Sequence, residues 1–282
     1  MSSSEEQSVI INKSLKNFYV IKVAWGNSHT LALSNMRTVY SWGINNKGCL
    51  GFPQDDDVLS PEKIRFDTAD MHFKSIVDIA CGGTHSMALS SSSKVYTWGN
   101  GDGGRLGHGT KQSEVVPREV LSLKDSRPIR IFAGDAHSAW ISNLNNLYTW
   151  GKGSYGRLGH GFTNDLFEPM MVEEIEQIKI IDAALGSYYT FVVSSDRTVY
   201  QWGGTDFPLP IPIPELRSKN ITEISAGPYH FLALDMKGNI YSWGNGRQGK
   251  LGFKNSASLK VPMKIPEPIK FGKAVSKTYH MF

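Results

Sequence analysis

Hydrophobic and polar residues alternate with a period of two over short stretches of this chain. The clearest stretch is 79–107, where an apolar run ends at Gly82 and is followed by His85–Leu89, a polar turn and Val95–Trp98. A glycine-rich loop then closes on Leu106-Gly107. Such alternation predicts half-buried β-strands joined by hairpins, and no segment shows a ten-residue helical period.

This unit recurs along the chain. A strand-opening His occurs at His29, His85, His137, His230 and His280, with Tyr189 in the fourth place. A Trp-Gly pair recurs with successive steps of 56, 52, 52 and 41 residues. Self-similarity on this scale indicates a repeat architecture. The pairs are Trp42-Gly43, Trp98-Gly99, Trp150-Gly151, Trp202-Gly203 and Trp243-Gly244.

The repeats predict an all-β fold, a β-propeller of four-stranded antiparallel blades with five full blades and a partial sixth. We expect a disordered tip at 1–7 and one propeller domain over 8–282, with Val9–Ile11 as a short strand. Trp fills the gap between twisted sheets, and the Gly after it permits a sharp turn. The predicted units are 20–61, 76–117, 129–169, 180–214, 222–262 and the partial 273–282.

The fourth unit departs from the others. It has no Leu-Gly in its loop and instead runs through residues 207–214 with alternating prolines. Alternating proline favours an extended segment with few hydrogen bonds. Two interpretations stand: a shortened connection, or a peptide-like docking epitope.

Composition limits the function classes. The net charge is +4 over 282 residues, which is too mild to predict nucleic-acid binding. Cys49 and Cys81 do not form a disulfide framework, and no apolar run reaches the ~20 residues of a membrane span. We therefore expect an intracellular protein, cytoplasmic or nuclear. No catalytic constellation, cofactor motif or metal set is present, so we expect no enzyme, and we expect the recurrent His to hydrogen-bond within each blade.

The motifs G-x-x-H-S-x-A-L, V-Y-x-W-G and G-x-L-G-H-G resemble the repeats of the regulator of chromosome condensation family, over about 18–282. The resemblance implies a β-propeller, normally with seven blades. It also implies closure of the ring between the N-terminal strand Val9–Ile11 and the C-terminal piece 273–282. The chain is short for seven blades, so a truncated product and an open arc remain as alternatives.

The family's founding member is a nucleotide exchange factor for the small GTPase Ran, and many other members are scaffolds or regulatory domains. We expect a protein-binding scaffold, with exchange on a Ran-like GTPase as the alternative. A structural component of a microtubule or ciliary assembly is a third possibility without residue-level support. The exchange factor's insertion of a β-hairpin wedge has no counterpart here, and Glu5 and Glu6 make the start acidic where a basic tail would bind chromatin.

The resemblance implies partner contacts on the propeller face built from the inner loops. Asp135, in A-G-D-A-H, and Asp102 match acidic positions there, and three His match as well. Four basic residues near the Leu-Gly positions are candidates for a basic rim that binds an acidic partner or nucleic acid; the alternative is solvated loop charges. The His are His85, His137 and His230, and the basic residues are Arg105, Arg157, Arg247 and Lys250.

Overall fold

The computed structural model describes residues 19–54, 56–66, 75–121, 126–204 and 206–266, and the backbone of 276–277 and 280–281. The strands of these residues form five four-stranded antiparallel sheets, and a two-stranded piece follows them. This confirms the all-β propeller with five full blades and part of a sixth. The predicted strand Val9–Ile11, and with it the expected ring closure, lies outside the described residues.

Each sheet contains four consecutive strands paired in chain order. In chain order the strands are β1 Val20–Trp25, β2 His29–Ser34, β3 Val39–Gly43, β4 Val58–Lys63, β5 Ile76–Cys81, β6 His85–Ser90, β7 Val95–Gly99, β8 Glu114–Glu119, β9 Pro128–Ala133, β10 His137–Ser142, β11 Leu147–Gly151, β12 Leu166–Met171, β13 Ile180–Leu185, β14 Tyr189–Ser194, β15 Val199–Gly203, β16 Phe207–Pro212, β17 Ile221–Ala226, β18 His230–Asp235, β19 Ile240–Gly244, β20 Leu259–Lys264, β21 Ser276–Lys277 and β22 His280–Met281. Short 3-10 turns lie at Asn46–Gly48, Asp102–Gly104, Ser154–Gly156, Glu173–Ile175, Pro214–Leu216 and Arg247–Gly249.

The first strand of each sheet lies at the centre of the molecule. Strands β1, β5, β9, β13 and β17 together line a cavity of about 350 Å³. Their partners step outward, so that the fourth strand of each sheet forms the rim. The apolar residues of one blade meet those of the next: Leu31 and Leu33 pack in one cluster with Ile79 and Trp98. Each such side chain contributes about 1.5–3 kcal/mol by leaving water, which makes sheet-on-sheet packing the main stabilising term.

Every outer strand carries a proline as its fourth residue. The sequence predicted that each unit ends at this proline, but the strands continue two residues beyond it. The ladder between third and fourth strands shifts register around it, as between Ser41 and Gly43. A bulge leaves the backbone unpaired, so the missing N–H of proline costs no hydrogen bond there. The prolines are Pro61, Pro117, Pro169, Pro210 and Pro262.

A hydrogen-bonded latch joins the first blade to the second. The indole Nε1–H of Trp98 donates to the carbonyl oxygen of Cys49 at 3.0 Å, and Ser86 Oγ donates to the same oxygen at 2.8 Å. His29 Nε2 lies 2.9 Å from Ser86 Oγ. Because Ser86 gives its proton to the carbonyl, it accepts from the imidazole, which fixes the neutral Nε2–H tautomer.

The same latch joins the second blade to the third and the third to the fourth. At the first of these interfaces Ser138 Oγ and Trp150 Nε1 donate to the Arg105 carbonyl, and His85 Nε2 bonds to Ser138 Oγ. At the second, Thr190 Oγ1 and Trp202 Nε1 donate to the Arg157 carbonyl, and His137 Nε2 bonds to Thr190 Oγ1. The recurrent His thus binds a hydroxyl of the following blade, and not a group of its own blade as the sequence analysis expected. An acceptor in the next blade lies more than fifty residues away in sequence, so the local pattern does not show it.

The interface between the fourth and fifth blades has lost this latch. Tyr189 stands where the other blades have His, and Phe231 stands where they have Ser or Thr. The two rings are 5.5 Å apart, and Phe231 is also 5.6 Å from Trp243. An aromatic cluster therefore replaces the polar latch: the His and the hydroxyl residue are both exchanged for aromatic residues, and the tryptophan is retained as Trp243.

The proline-rich segment of the fourth unit is the outer strand β16. It pairs with β15 along its length: Phe207 pairs with Gly203, and Ile211 pairs with Gln201. The segment is neither a shortened connection nor a free peptide, because it completes the sheet of its own blade. What is shortened is the loop before it, residues 204–206.

We predict that Ser138→Ala lowers the free energy of unfolding by about 1–3 kcal/mol, because it leaves the buried His85 Nε2–H without its acceptor. Urea unfolding followed by tryptophan fluorescence measures this. Ser256→Ala, at an exposed loop position, is the matched control and should stay within about 0.5 kcal/mol of wild type. Equal stability of both variants would contradict the latch.

We also predict that Phe231→Thr destabilises the protein by about 3 kcal/mol, although Thr serves well at the equivalent position 190. The fourth blade offers that hydroxyl neither a His nor a loop carbonyl, while the aromatic cluster loses a ring. The same urea titration applies. A cost below about 1 kcal/mol would show that the residue type at this position does not depend on its neighbours.

Candidate functional site

The loops between first and second strands form a partial ring around one end of the central cavity, and backbone hydrogen bonds join it from the first blade to the fifth. Asn27 N donates to Gly83 O at 3.1 Å, and Asp135 N donates to Gly186 O at 3.2 Å. Ser187 N continues the chain of bonds to Pro228 O at 3.2 Å. The loops between third and fourth strands lie on the same side of the molecule, and we call this side the loop face. Its inner loops are 26–28, 82–84, 134–136, 186–188 and 227–229. The described residues of its outer loops lie within 44–57, 100–113, 152–165, 204–206 and 245–258.

Asp135 lies in the ring, half-buried at the mouth of the cavity. Its Oδ1 accepts from Asn27 Nδ2 at 3.4 Å, and it abuts Gly83, where a Cβ would clash with the carboxylate at 2.1 Å. The carboxylate therefore sits against bare backbone, held between the first and third blades. This is the acidic group that the sequence analysis selected, and its position on the loop face makes it accessible to a partner.

Asp102 lies further out on the same face. Lys47 Nζ donates to its Oδ2 at 2.6 Å, and this hydrogen bond lowers the pKa of the carboxyl. Both side chains are about half exposed, with fractions of 46% and 58%. A pair of this kind contributes little to stability and remains open to exchange with a partner's charges.

Two of the three arginines of the predicted basic rim, Arg105 and Arg157, point inward. Arg105 is 8% exposed, and its guanidinium donates to Asp102 O, Thr84 Oγ1 and Asp135 O at 2.8, 3.1 and 3.2 Å. Arg157 is 1% exposed and donates to Ser154 O and Ser187 O. Burial lowers the pKa of both groups. Their charge binds loop carbonyls and fastens the outer loops to the inner ring.

The remaining predicted site residues also divide into exposed and buried side chains. Arg247 is exposed and Lys250 half-buried, so these two present charge at the fifth blade. His85, His137 and His230 are buried at the start of their strands. A partner-binding role for these side chains stays a prediction, and the buried three reach the loop face only through the backbone around them.

Three tyrosines on the loop face were missed by the sequence analysis. Tyr155 and Tyr188 have ring centroids 4.7 Å apart, and Tyr188 and Tyr229 are 5.8 Å apart. Arg157 lies 4.9 Å from the Tyr188 ring and 5.9 Å from the Tyr155 ring. Comparison of the residues just before each strand-opening position would have found two of them.

Other candidate chemistry is absent from the part of the chain that the structure describes. There, no three His, Cys, Asp or Glu side chains cluster as metal ligands. Within the same residues no α-helix has the length and apolar character needed to cross a bilayer.

The model of the family described as the RCC1-like domain matches residues 2–207, and RCC1 repeat models match 221–250 and 237–277. The chain belongs to the RCC1-like family. Among similar RCC1-like proteins, mouse E3 ubiquitin-protein ligase HERC2 is 34% identical over 191 residues, 66% of this chain and 4% of HERC2. The Arabidopsis thaliana ultraviolet-B receptor UVR8 is 32% identical over 69% of this chain and 43% of its own length. The chain thus spans less than half of these relatives.

Solved structures show the same fold. Human WBSCR16 aligns with a TM-score of 0.82 and 24% identity, over 93% of this chain and 70% of WBSCR16. Yeast RCC1 (Prp20), solved bound to Kap60, aligns with a TM-score of 0.78 and 21% identity, over 92% of this chain and 66% of that chain. Both identities are low, so these similarities establish the RCC1-type propeller and nothing about a partner.

We predict that stability falls as the pH is lowered from about 6.5. Burial lowers the pKa of His108, His160 and His230 to about 4 and that of His137 well below its usual value. In the unfolded chain these His side chains bind protons with a pKa of about 6.5, whereas in the folded chain they stay unprotonated at that pH. The stability these groups contribute is complete above pH 6.5 and is lost toward pH 4, at up to about 1.4 kcal/mol per pH unit for each His.

Urea unfolding at pH 7.5, 6.5 and 5.5 measures this dependence, since carboxylates titrate mostly below that range. His160→Gln should reduce the slope, because His160 contributes one of the shifted groups. A free energy of unfolding that is constant or rises between pH 6.5 and 5.5 would contradict the prediction.

Proposed function

We propose that this RCC1-like propeller is a non-enzymatic protein-binding scaffold that engages its partner through the loop face. The observation that supports this most is the hydrogen-bonded ring of inner loops, which carries Asp135 at the mouth of the cavity. Loops that are bonded to one another through their backbones from the first blade to the fifth present side chains with little entropic cost of ordering. Loops on a rigid scaffold are the usual place for such contacts.

The relatives support a binding role in general terms. The domain occurs within a ubiquitin ligase and within a photoreceptor, and it makes up only part of each. Proteins with different activities thus share this propeller, which fits a binding module better than a catalytic one. Yeast RCC1 (Prp20) was solved bound to Kap60, so one structural neighbour binds a protein.

Guanine nucleotide exchange on a Ran-like GTPase is the second candidate. The position of Asp135 favours it, because the carboxylate lies on the face that the family's exchange factor uses. The loops 100–113 and 152–165 argue against it, since each holds a single 3-10 turn and no wedge hairpin. We further propose an intracellular location, cytoplasmic or nuclear; Cys49 and Cys81 are both free thiols, and burial raises the pKa of Cys49 to about 11.

For the scaffold, we predict that a partner retained through purification under mild lysis is lost from the Asp135→Ala variant. Lys237→Ala is the matched control, because Lys237 is exposed in a turn at the opposite end of its blade. Co-purification followed by mass spectrometry compares the three proteins. Equal recovery of the partner on both variants would remove the loop face from the proposal.

For the exchange candidate, release of labelled GDP from a Ran-type GTPase decides the matter. The scaffold proposal predicts that micromolar protein leaves the release rate unchanged. Acceleration by the wild type that disappears in Asp135→Ala would establish the exchange activity in its place.

A further inference from the structure

The loop face carries a recess at the fourth blade. Four blades join their third and fourth strands by loops of equal length, residues 44–57, 100–113, 152–165 and 245–258, while the fourth blade uses only 204–206. The Trp-to-Trp step of 41 after Trp202, against 52 before it, records this deletion. The outer loops of the third and fifth blades therefore lack the neighbour that the other interfaces provide.

Three tyrosine rings lie along this recess. Tyr155 comes from the loop of the third blade, Tyr188 from the inner loop of the fourth, and Tyr229 from the inner loop of the fifth. Tyr155 is 45% and Tyr229 49% exposed. The inner-loop position of Tyr188 and Tyr229 holds small residues in the first three blades, namely Ser28, Thr84 and Ala136. Aromatic residues thus appear on the side of the face where the loop is missing.

Arg157, which is buried, holds two of the three tyrosine rings in place. Its guanidinium stacks 4.9 Å from the Tyr188 ring and 5.9 Å from the Tyr155 ring, and its N–H groups bind Ser154 O and Ser187 O. A buried cation on the inner side of the rings draws their π-electron density inward. A second cation on the outer side is then disfavoured, so the row does not favour a cationic ligand.

A groove extends the row toward the rim. Its volume is about 640 Å³, and its walls include Ser154, Tyr155, Gly161 and Pro208. One wall belongs to β16, in which Pro208, Pro210 and Pro212 have no N–H to offer. An added β-strand needs such donors along the edge, so this edge does not bind a peptide by strand addition. Recognition along the groove must use side-chain packing.

We propose that the row of Tyr155, Tyr188 and Tyr229 binds a proline-rich segment of a partner in the polyproline II conformation. Pyrrolidine rings are uncharged and pack flat on aromatic faces, and aromatic-lined grooves are the usual receptors for such segments. One polyproline II turn advances about 9 Å. The ring centroids of the row are separated by successive steps of 4.7 and 5.8 Å, so a segment of about one such turn can contact all three rings. The inference rests on the loop face being the partner surface, and it names the partner's chemistry.

Fluorescence anisotropy with a labelled decaproline peptide and the full chain tests the proposal. We expect saturable binding that a Gly-Ser decapeptide does not compete away. Tyr188→Ala and Tyr229→Ala should each weaken it by about tenfold or more, as expected for central aromatic contacts. Tyr188→Phe should retain it, because the ring and not the hydroxyl makes the contact. Tyr19→Ala, an exposed tyrosine at the start of β1, is the matched control and should bind like wild type.

Three results would overturn the proposal: no binding of decaproline, equal binding by wild type and both alanine variants, or tighter binding of an Arg-rich decapeptide. Tyr229→Ala guards against misfolding, since the Tyr229 side chain is 49% exposed, and thermal unfolding checks both variants. Retention of a natural partner by Tyr188→Ala but not by Asp135→Ala would leave the scaffold proposal standing and remove this one.

Discussion

At each of the first three interfaces between blades, one carbonyl oxygen holds the neighbouring blades together. The oxygens of Cys49, Arg105 and Arg157 each accept an indole N–H and a hydroxyl from the following blade. Apolar packing between sheets supplies most of the free energy, but it is not directional. The two hydrogen bonds set how far each blade rotates against the next. The loop face depends on this register, because the inner loops bond to one another only when the blades are stacked correctly.

The blades could be predicted from the sequence because their cause is local and periodic. Alternation defines the strands, and the returning Trp-Gly pairs define the spacing of the sheets. The burial of Arg105 and Arg157 could not be predicted in this way. From sequence, a charged residue before Leu-Gly is expected to be solvated. Its burial is favoured by the carbonyls of Asp135 and Ser187, which belong to a neighbouring blade and are not visible in the local pattern. The direction of the His bond was missed for the same reason, since its acceptor belongs to the next repeat.

The fourth blade shows how a repeat protein changes one interface without losing its fold. Deletion of the outer loop removes the acceptor carbonyl, and the His and the hydroxyl then have no role there. Tyr189 and Phe231 take their positions and pack with Trp243. Packing between rings is less directional than hydrogen bonds, so this interface tolerates the loss of a loop that the others need. The tyrosine row occupies the space that the deletion opened, and the irregular blade thereby becomes the most distinctive part of the loop face.

The prolines of the outer strands bear on how such proteins remain separate from each other. The outer strand of each blade is a sheet edge, and an unprotected edge of this kind is a site where a strand of another chain pairs. All five four-stranded blades carry such an edge. Proline as the fourth residue interrupts the row of donors in each of them, and β16 carries three. In a crowded cell these rim strands therefore do not template further sheet, and copies of the protein stay separate although their edges are exposed.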